Sequence, residues 1–295
     1  EFRIMRGEQL NLFEDKYTKI DAMMDQVTGF WAYHAGMADG DGSFKTPKGR
    51  NPYYQLSLID KNIIKELANL YDVKLGKVKK KKKKHKQQYV VSICGDNFRH
   101  FVQRVYPSLI EKRDVVKKIM KEQNIDIVIK PDYRFPVINV SNNQLAWLAG
   151  YFDAEGCLCF AHQFDKRSKK YNFKTKLTFT STNLKVLRYV KKLMNRVFNR
   201  NADKNVFKIV PKTKWKDRPY NEAPCWDMVC SQMTKTHLFS KIYQPIIKVK
   251  RKIKKMDRLM NYGEFCARMR WTFGKINFKK NDRMRNRWLK IQESE

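Results

Sequence analysis

A chain of 295 residues, 42% of them hydrophobic, is long enough for two domains or one duplicated unit of about 150 residues, each half burying its own core. It carries 63 Lys and Arg against 29 Asp and Glu, a net charge of +34 spread along the whole length. Such a field selects polyanions, with an affinity that falls steeply with salt. Charge alone would also fit a ribosomal or a membrane-surface protein, but no apolar run reaches the roughly 18–20 residues of a membrane span. Six cysteines occur, none as a C-x-x-C pair, which argues against a zinc site. Cys157-x-Cys159 is too close for an ordinary disulfide framework, so reduced thiols in an intracellular compartment are expected. No secretory leader is visible, and the Glu1 start reads as a missing native beginning, with Glu1-Phe2 as a cloning remnant.

Residues 1–27 are polar and mixed in charge and read as a lead-in arm. A helix is predicted over 28–41, with Thr28 as its N-cap and Phe30, Tyr33 and Met37 at helical spacing. Ala32 and Gly36 lie four apart on it, a small-residue face to which another backbone can come close. The helix ends in His34-Ala35-Gly36-Met37-Ala38-Asp39-Gly40-Asp41-Gly42, Gly42 being read as a left-handed cap. A hairpin follows, Ser43 to Lys45 and Tyr53 to Ile59, in which Gln55 and Ser57 alternate with Leu56 and Leu58. Asp60 caps a helix to about Tyr71, and residues 73–95 read as a second hairpin whose tip holds the run Lys79 to Lys86, broken only by His85. That run is a solvated loop that can also contact phosphates. Helices over Phe98–Val105 and about 112–123 complete the first half, and residues 125–142 read as a linker.

The second half repeats the order. Its first helix spans about 143–155, with Leu145, Leu148 and Phe152 at helical spacing and Ala146 and Gly150 as the small face. It ends in Leu148-Ala149-Gly150-Tyr151-Phe152-Asp153-Ala154-Glu155-Gly156, with Gly156 as the cap. Cys157 to Ala161 alternates, and in the next strand Phe173, Thr175, Leu177 and Phe179 oppose Lys174, Lys176, Thr178 and Thr180. A helix over Leu184–Phe198, strands near 205–211 and 225–230, and helices over 235–243 and 248–261 follow, before a basic extension at 263–295.

The two glycine-rich stretches share small-Gly-x-x-Asp-small-acid-Gly at an offset of 114 residues, which marks an internal duplication. A second echo supports it: Phe101, Pro107 and Lys112-Arg113 recur as Phe239, Pro245 and Lys250-Arg251, at an offset of 138. The second half therefore has about 24 extra residues between the echoes, which are expected to lie in longer hairpins.

At these residues the chain resembles the LAGLIDADG homing endonucleases. The second copy matches seven of the nine motif letters when Glu155 is counted as a conservative acid, six being identical, with Tyr151 and Phe152 for two apolar residues. The first copy departs more, at His34, Met37, Ala38 and Gly40. The resemblance implies an α+β fold of two pseudo-symmetric α-β-β-α-β-β-α halves, at 28–124 and 143–262. Their antiparallel sheets would form a saddle, with the motif helices at the central interface through Ala32, Gly36, Ala146 and Gly150. It further implies a monomeric, divalent-metal-dependent endonuclease that makes a double-strand break in a long asymmetric DNA target and promotes intron mobility. Asp41 and Glu155 would be catalytic and would bind Mg²⁺, with Mn²⁺ able to substitute, beside Gly40 and Ala154. Both acids fall at helix C-termini, where the dipole disfavours them by about 0.3–1 kcal/mol, a penalty that a bound cation removes.

Lys235 is the candidate basic partner; Asp39 and Asp153 read as structural, and His34 as packing. The expected DNA contacts are Ser43, Lys45, Lys48, Arg50, Gln55, Ser57, Lys79, Lys81 and Lys83 in the first half. In the second they are Gln163, Lys174, Lys176, Thr178, Thr180, Lys208 and Lys212. Relatives of the family that act as intron RNA maturases, or as non-cleaving DNA-binding proteins, supply the rival readings. The location expected is an organelle or a bacterial cytoplasm.

Overall fold

The computed structural model describes residues 18, 20, 29–80, 86–125, 140–165, 170–198, 206–211 and 224–268. Side chains are described for all of these but 161–165, 170–174, 233–234 and 262–268. The chain divides into two compact units, 1–154 and 155–295, so that the second motif helix lies, up to Ala154, with the first unit.

In the first unit, helix α1 (Phe30–Gly40) leads into β1 (Gly42–Lys45), β2 (Tyr53–Leu58), α2 (Lys61–Tyr71), β3 (Gly76–Lys77), β4 (Tyr89–Cys94), α3 (Gly95–Val105) and α4 (Arg113–Glu122). The strands form one antiparallel sheet in the order β1-β2-β4-β3. Phe44, Tyr54, Leu56, Leu58, Val91 and Ile93 point inward and are buried with Ile63, Ile64 and Leu67 of α2 and Phe98, Phe101 and Val102 of α3. Tyr54 and Phe101 stack at 4.4 Å. Helix α2 starts where expected, because Asp60 accepts a hydrogen bond from the backbone of Asn62. Helix α5 (Asn142–Glu155) is opened by a reciprocal cap: Ser141 Oγ accepts from the Gln144 N–H, and Gln144 Oε1 accepts from the Ser141 N–H.

The second unit repeats the plan with β5 (Gly156–Asp165), β6 (Lys170–Ser181), α6 (Leu184–Phe198), β7 (Lys208–Pro211), β8 (Trp226–Cys230), α7 (Met233–Tyr243) and α8 (Lys250–Arg268). Its sheet order is β5-β6-β8-β7, the same topology. Leu158, Leu177, Phe179, Met228 and Cys230 form its buried face with Val186, Val190 and Met194 of α6 and Phe239 and Tyr243 of α7. The extra residues fall partly in longer hairpins, as expected, and partly in α6, which has 15 residues against 11 in α2, and in its connection to β7. Gly42 pairs with Leu56, 14 positions on, whereas Gly156 pairs with Phe179, 23 positions on. Leu56 then pairs with Val91, 35 positions on, and Phe179 with Met228, 49 positions on. Each half thus follows the expected α-β-β-α-β-β-α order, and the fold is α+β.

Three local expectations are corrected. Helix α1 is capped by Gly29 rather than Thr28; Gly29 has φ 84, and a side chain there would strike Cβ of Ala146. Gly42 and Gly156 do not take the left-handed conformation: each is the first residue of a strand. Gly42 is required by space instead, since a Cβ would lie 2.6 Å from Cα of Ala38 and 2.7 Å from the Tyr54 ring. Helix α8 runs on to Arg268, past the expected boundary at 261–262. The N-terminal arm apart from residues 18 and 20, most of the linker and residues 269–295 of the extension lie outside the described residues. No helix among the described residues is long and apolar enough to cross a membrane.

Candidate active site

Helices α1 and α5 carry the two motifs and are buried on nearly every side, α1 from Ala32 to Asp39 without a break. A helix apolar all round must be enclosed; α1 and α5 cover one face of each other, and α1 is packed besides by β1 and α3. Their contacts obey the 114-residue offset residue by residue. A Cβ on Gly36 would overlap the carbonyl oxygen of Trp147, and a Cβ on Gly150 would overlap that of Tyr33. The next neighbours are the Tyr151 nitrogen for Gly36 and the Met37 nitrogen for Gly150. Glycine is needed at both positions because backbone meets backbone there. Of the small faces predicted from Ala32, Gly36, Ala146 and Gly150, the two glycines meet the backbone of the facing helix and Ala146 lies against Gly29 at the start of α1.

The side chains repeat the symmetry. Tyr33 donates its hydroxyl to Asp153 at 2.6 Å, and Trp147, the residue 114 positions after Tyr33, donates its indole N–H to Asp39 at 2.9 Å. Each aromatic residue thus reaches the buried motif acid of the other helix. Asp39 also accepts from the backbone N–H groups of Ile110 at 2.8 Å, Glu111 at 3.0 Å and Lys112 at 2.9 Å. Burial pushes its carboxyl above the ordinary range, against the pull of those hydrogen bonds and of the Lys112 charge. Asp39 and Asp153 are therefore structural groups, as read from the sequence. His34 is fully buried, its ring 4.5 Å from Phe30, and it packs rather than faces solvent.

The second acid of each motif is placed differently. Asp41 is exposed, at the C-cap of α1, and Glu155 is half-buried at the last turn of α5. The Asp41 and Asp39 charges, after burial itself, raise the pKa of the enclosed Tyr54 hydroxyl. The basic group at the first motif is Lys112, which the functional reading of the sequence missed. Its ammonium donates to the carbonyls of Ala38 at 2.7 Å, Gly40 at 3.0 Å and Gly42, the residues that bracket Asp41. The signal was present, since Lys112-Arg113 is one half of the echo whose other half is Lys250-Arg251. Lys235, the predicted basic partner, is a correction: its ammonium caps the carbonyl of Phe198 at the end of α6, which commits it to a helix terminus.

Mg²⁺ takes oxygen ligands, keeps several waters and needs few protein groups. A solvent-accessible carboxylate at each motif suits that chemistry, and among the described residues no cluster of three or more His, Cys, Asp and Glu forms a closed cage. Gly40 fits less well than expected. Its carbonyl already accepts from the Lys112 ammonium, and a dication placed there would face a like charge.

Beside the motif acids, each sheet presents an open face. In the first sheet Ser43, Lys45, Gln55 and Ser57 lie on it as predicted, with Ser43 opposite Gln55 and Gln55 opposite Ser92. Gln55 donates to Ser92 at 3.4 Å. Tyr53, Ser92 and Cys94 share this face and were missed, since only strand register reveals them. Lys48, Arg50 and Lys79 are exposed in loops. In the second sheet Lys176 and Lys208 are exposed, while Thr178 is buried to 8% exposure and so is a poor contact, contrary to expectation. Thr180, expected as a DNA contact, is half-buried and donates its hydroxyl to Asp227. Lys81, Lys83 and Lys212, and the side chains of Gln163 and Lys174, lie outside the described residues.

Two four-stranded sheets of one topology and a reciprocal pair of motif helices are the fold of the LAGLIDADG meganucleases. The structure of I-AabMI bound to uncleaved DNA superposes with a TM-score of 0.54 at 12% identity, covering 86% of this chain and 97% of its own. That of I-LtrWI bound to target DNA gives 0.56 at 11% identity, covering 88% and 94%. I-GzeII in complex with its DNA target gives 0.53 at 13%, covering 86% and 96%. Residues 28–106 match the family model described as a LAGLIDADG-like domain. The resemblance carried by the two motifs thus holds at the level of fold for both halves, and by family match for the first.

Proposed function

We propose that this chain is a site-specific DNA endonuclease that hydrolyses phosphodiester bonds on both strands of a long, asymmetric duplex target. The observation that carries this is the division of labour within each motif. One acid is buried and hydrogen-bonded, while the next, two positions on, is exposed in the first motif and half-buried in the second, at a helix end whose dipole disfavours a negative charge. The similar folds solved on DNA and the charge of +34 support duplex DNA as partner. Two motifs in one polypeptide make the chain complete as a monomer, and the unequal halves suit an asymmetric target. Promotion of intron mobility from an organellar or bacterial genome is the biological role this activity would serve.

Asp41 and Glu155 would hold divalent metal through their carboxylates. Bound Mg²⁺, or Mn²⁺ in its place, supplies charge stabilisation and a water of lowered pKa. Lys112 fixes the turn that presents Asp41 by tying together the carbonyls on either side of it, and its charge offsets the negative end of α1. Gly42 keeps the strand close behind that turn.

The test is cleavage of a randomised duplex library by the full chain in Mg²⁺, Mn²⁺, Ca²⁺ or EDTA. Discrete double-strand cuts in Mg²⁺ and Mn²⁺ alone are expected. Asp41→Asn and Glu155→Gln should abolish double-strand cleavage and leave the dissociation constant for the selected target within a few-fold. Tight binding of intron RNA with no cleavage of any duplex would replace this reading with that of a maturase.

A further inference from the structure

Asp227 stands out on the open face of the second sheet. It pairs with Thr180 on one side and Val210 on the other, and its side chain alternates with the buried Met228. Among the residues whose side chains are described it is the only acid on that face; its neighbours there are Cys157, Cys159, Lys176, Thr178, Lys208 and Val229. Its orientation is fixed, because Thr180 donates its hydroxyl to Oδ1 at 2.7 Å. The equivalent pair in the first sheet is Ser57 and Val90, with no acid.

A carboxylate on a surface that meets DNA is repelled by phosphates and is tolerated only where it accepts a hydrogen bond. With Oδ1 held by Thr180, Oδ2 remains to accept one. In the major groove cytosine presents the N4 amine as a donor, whereas adenine sets the N7 acceptor beside its amine, guanine offers acceptors only, and thymine an acceptor and a methyl. An acceptor-only group matches cytosine. We propose that Asp227, oriented by Thr180, reads a single cytosine in the half of the target that faces the second sheet. This rests on the reading of the open sheet faces as the DNA surface.

The experiment is base-preference profiling of the full chain on a library built around its selected target, for wild type, Asp227→Asn, Thr180→Val and Thr180→Ser. Wild type should prefer cytosine at one position of one half-site by about 5- to 150-fold. Asp227→Asn offers both a donor and an acceptor, so the preference at that position should move to adenine, with every other position unchanged. Thr180→Val should weaken the cytosine preference, and Thr180→Ser, which keeps the hydroxyl, should restore it. Unchanged profiles in Asp227→Asn, with target binding intact, would overturn the assignment, as would a wild type with no cytosine preference in that half-site. Absence of any selective duplex binding by wild type would instead strike the DNA reading on which the assignment rests. Since Asp and Asn are isosteric, the unchanged positions also serve as the control for folding.

Discussion

Asp39 and Asp41 lie two positions apart, yet one takes four hydrogen bonds in a closed interior and the other is exposed. Spacing alone distinguished them, because a helix that buries the first acid turns the second towards its own end. Lys112 tests how that end is held. Lys112→Met keeps the stem and removes the charge, so three carbonyls lose their donor; a loss of about 1–3 kcal/mol in urea denaturation is expected. If the ammonium also serves the reaction, the cleavage rate at saturating DNA should fall about 10²–10³-fold, the scale for a lost charge-stabilising donor. A stability loss with an unaltered rate would confine Lys112 to a fastening. The acids were legible in the sequence because their pattern repeats. Lys235 misled because a lysine just after a strand gives no hint that a helix end waits nearby, and Asp227 was invisible because cross-strand register decides its neighbours.

At the scale of elements, the paired helices make the firmest prediction. Gly36→Ala and Gly150→Ala each push a methyl group into a carbonyl of the facing helix, and each should cost about 3 kcal/mol or more, at the upper end of overpacking effects. Loss of less than 1 kcal/mol in equilibrium unfolding would mean that the helices can move apart cheaply. The two aromatic-to-acid bonds should likewise be coupled to their acceptors: a double-mutant cycle of Tyr33→Phe with Asp153→Asn should return about 0.5–3 kcal/mol. Element order, the capped start of α2 and the alternating strands were all legible, since propensity and burial agree there. The glycine caps were not: Gly42 looks the same in sequence whether it is needed for a left-handed turn or for want of room against Ala38 and Tyr54.

At the scale of the molecule, the excess of basic side chains should dominate affinity. A target contact of about six phosphates predicts a slope near −5 in a plot of log K against log salt concentration, measured by fluorescence anisotropy. A slope shallower than −2 would show that the charge of +34 lies mostly off the binding surface. The duplication was legible at this scale because two independent echoes gave offsets of 114 and 138; the strand pairings place nine residues of the difference, 23 against 14, in the β5–β6 hairpin, and a longer α6 takes up part of the rest.

The packing of α1 against α5 has a bearing on what the first half can do alone. A fragment ending near residue 125 would keep a complete sheet and its covering helices, but it would bare Gly36, Tyr33 and Asp39 along an apolar rod. The nearest substitute for the absent rod is a twin of itself: a second Gly36 to rest on a Tyr33 carbonyl, and a second Tyr33 to satisfy the acid opposite. Severed from its sequel, the half should associate in twos, as an undoubled forebear would have done.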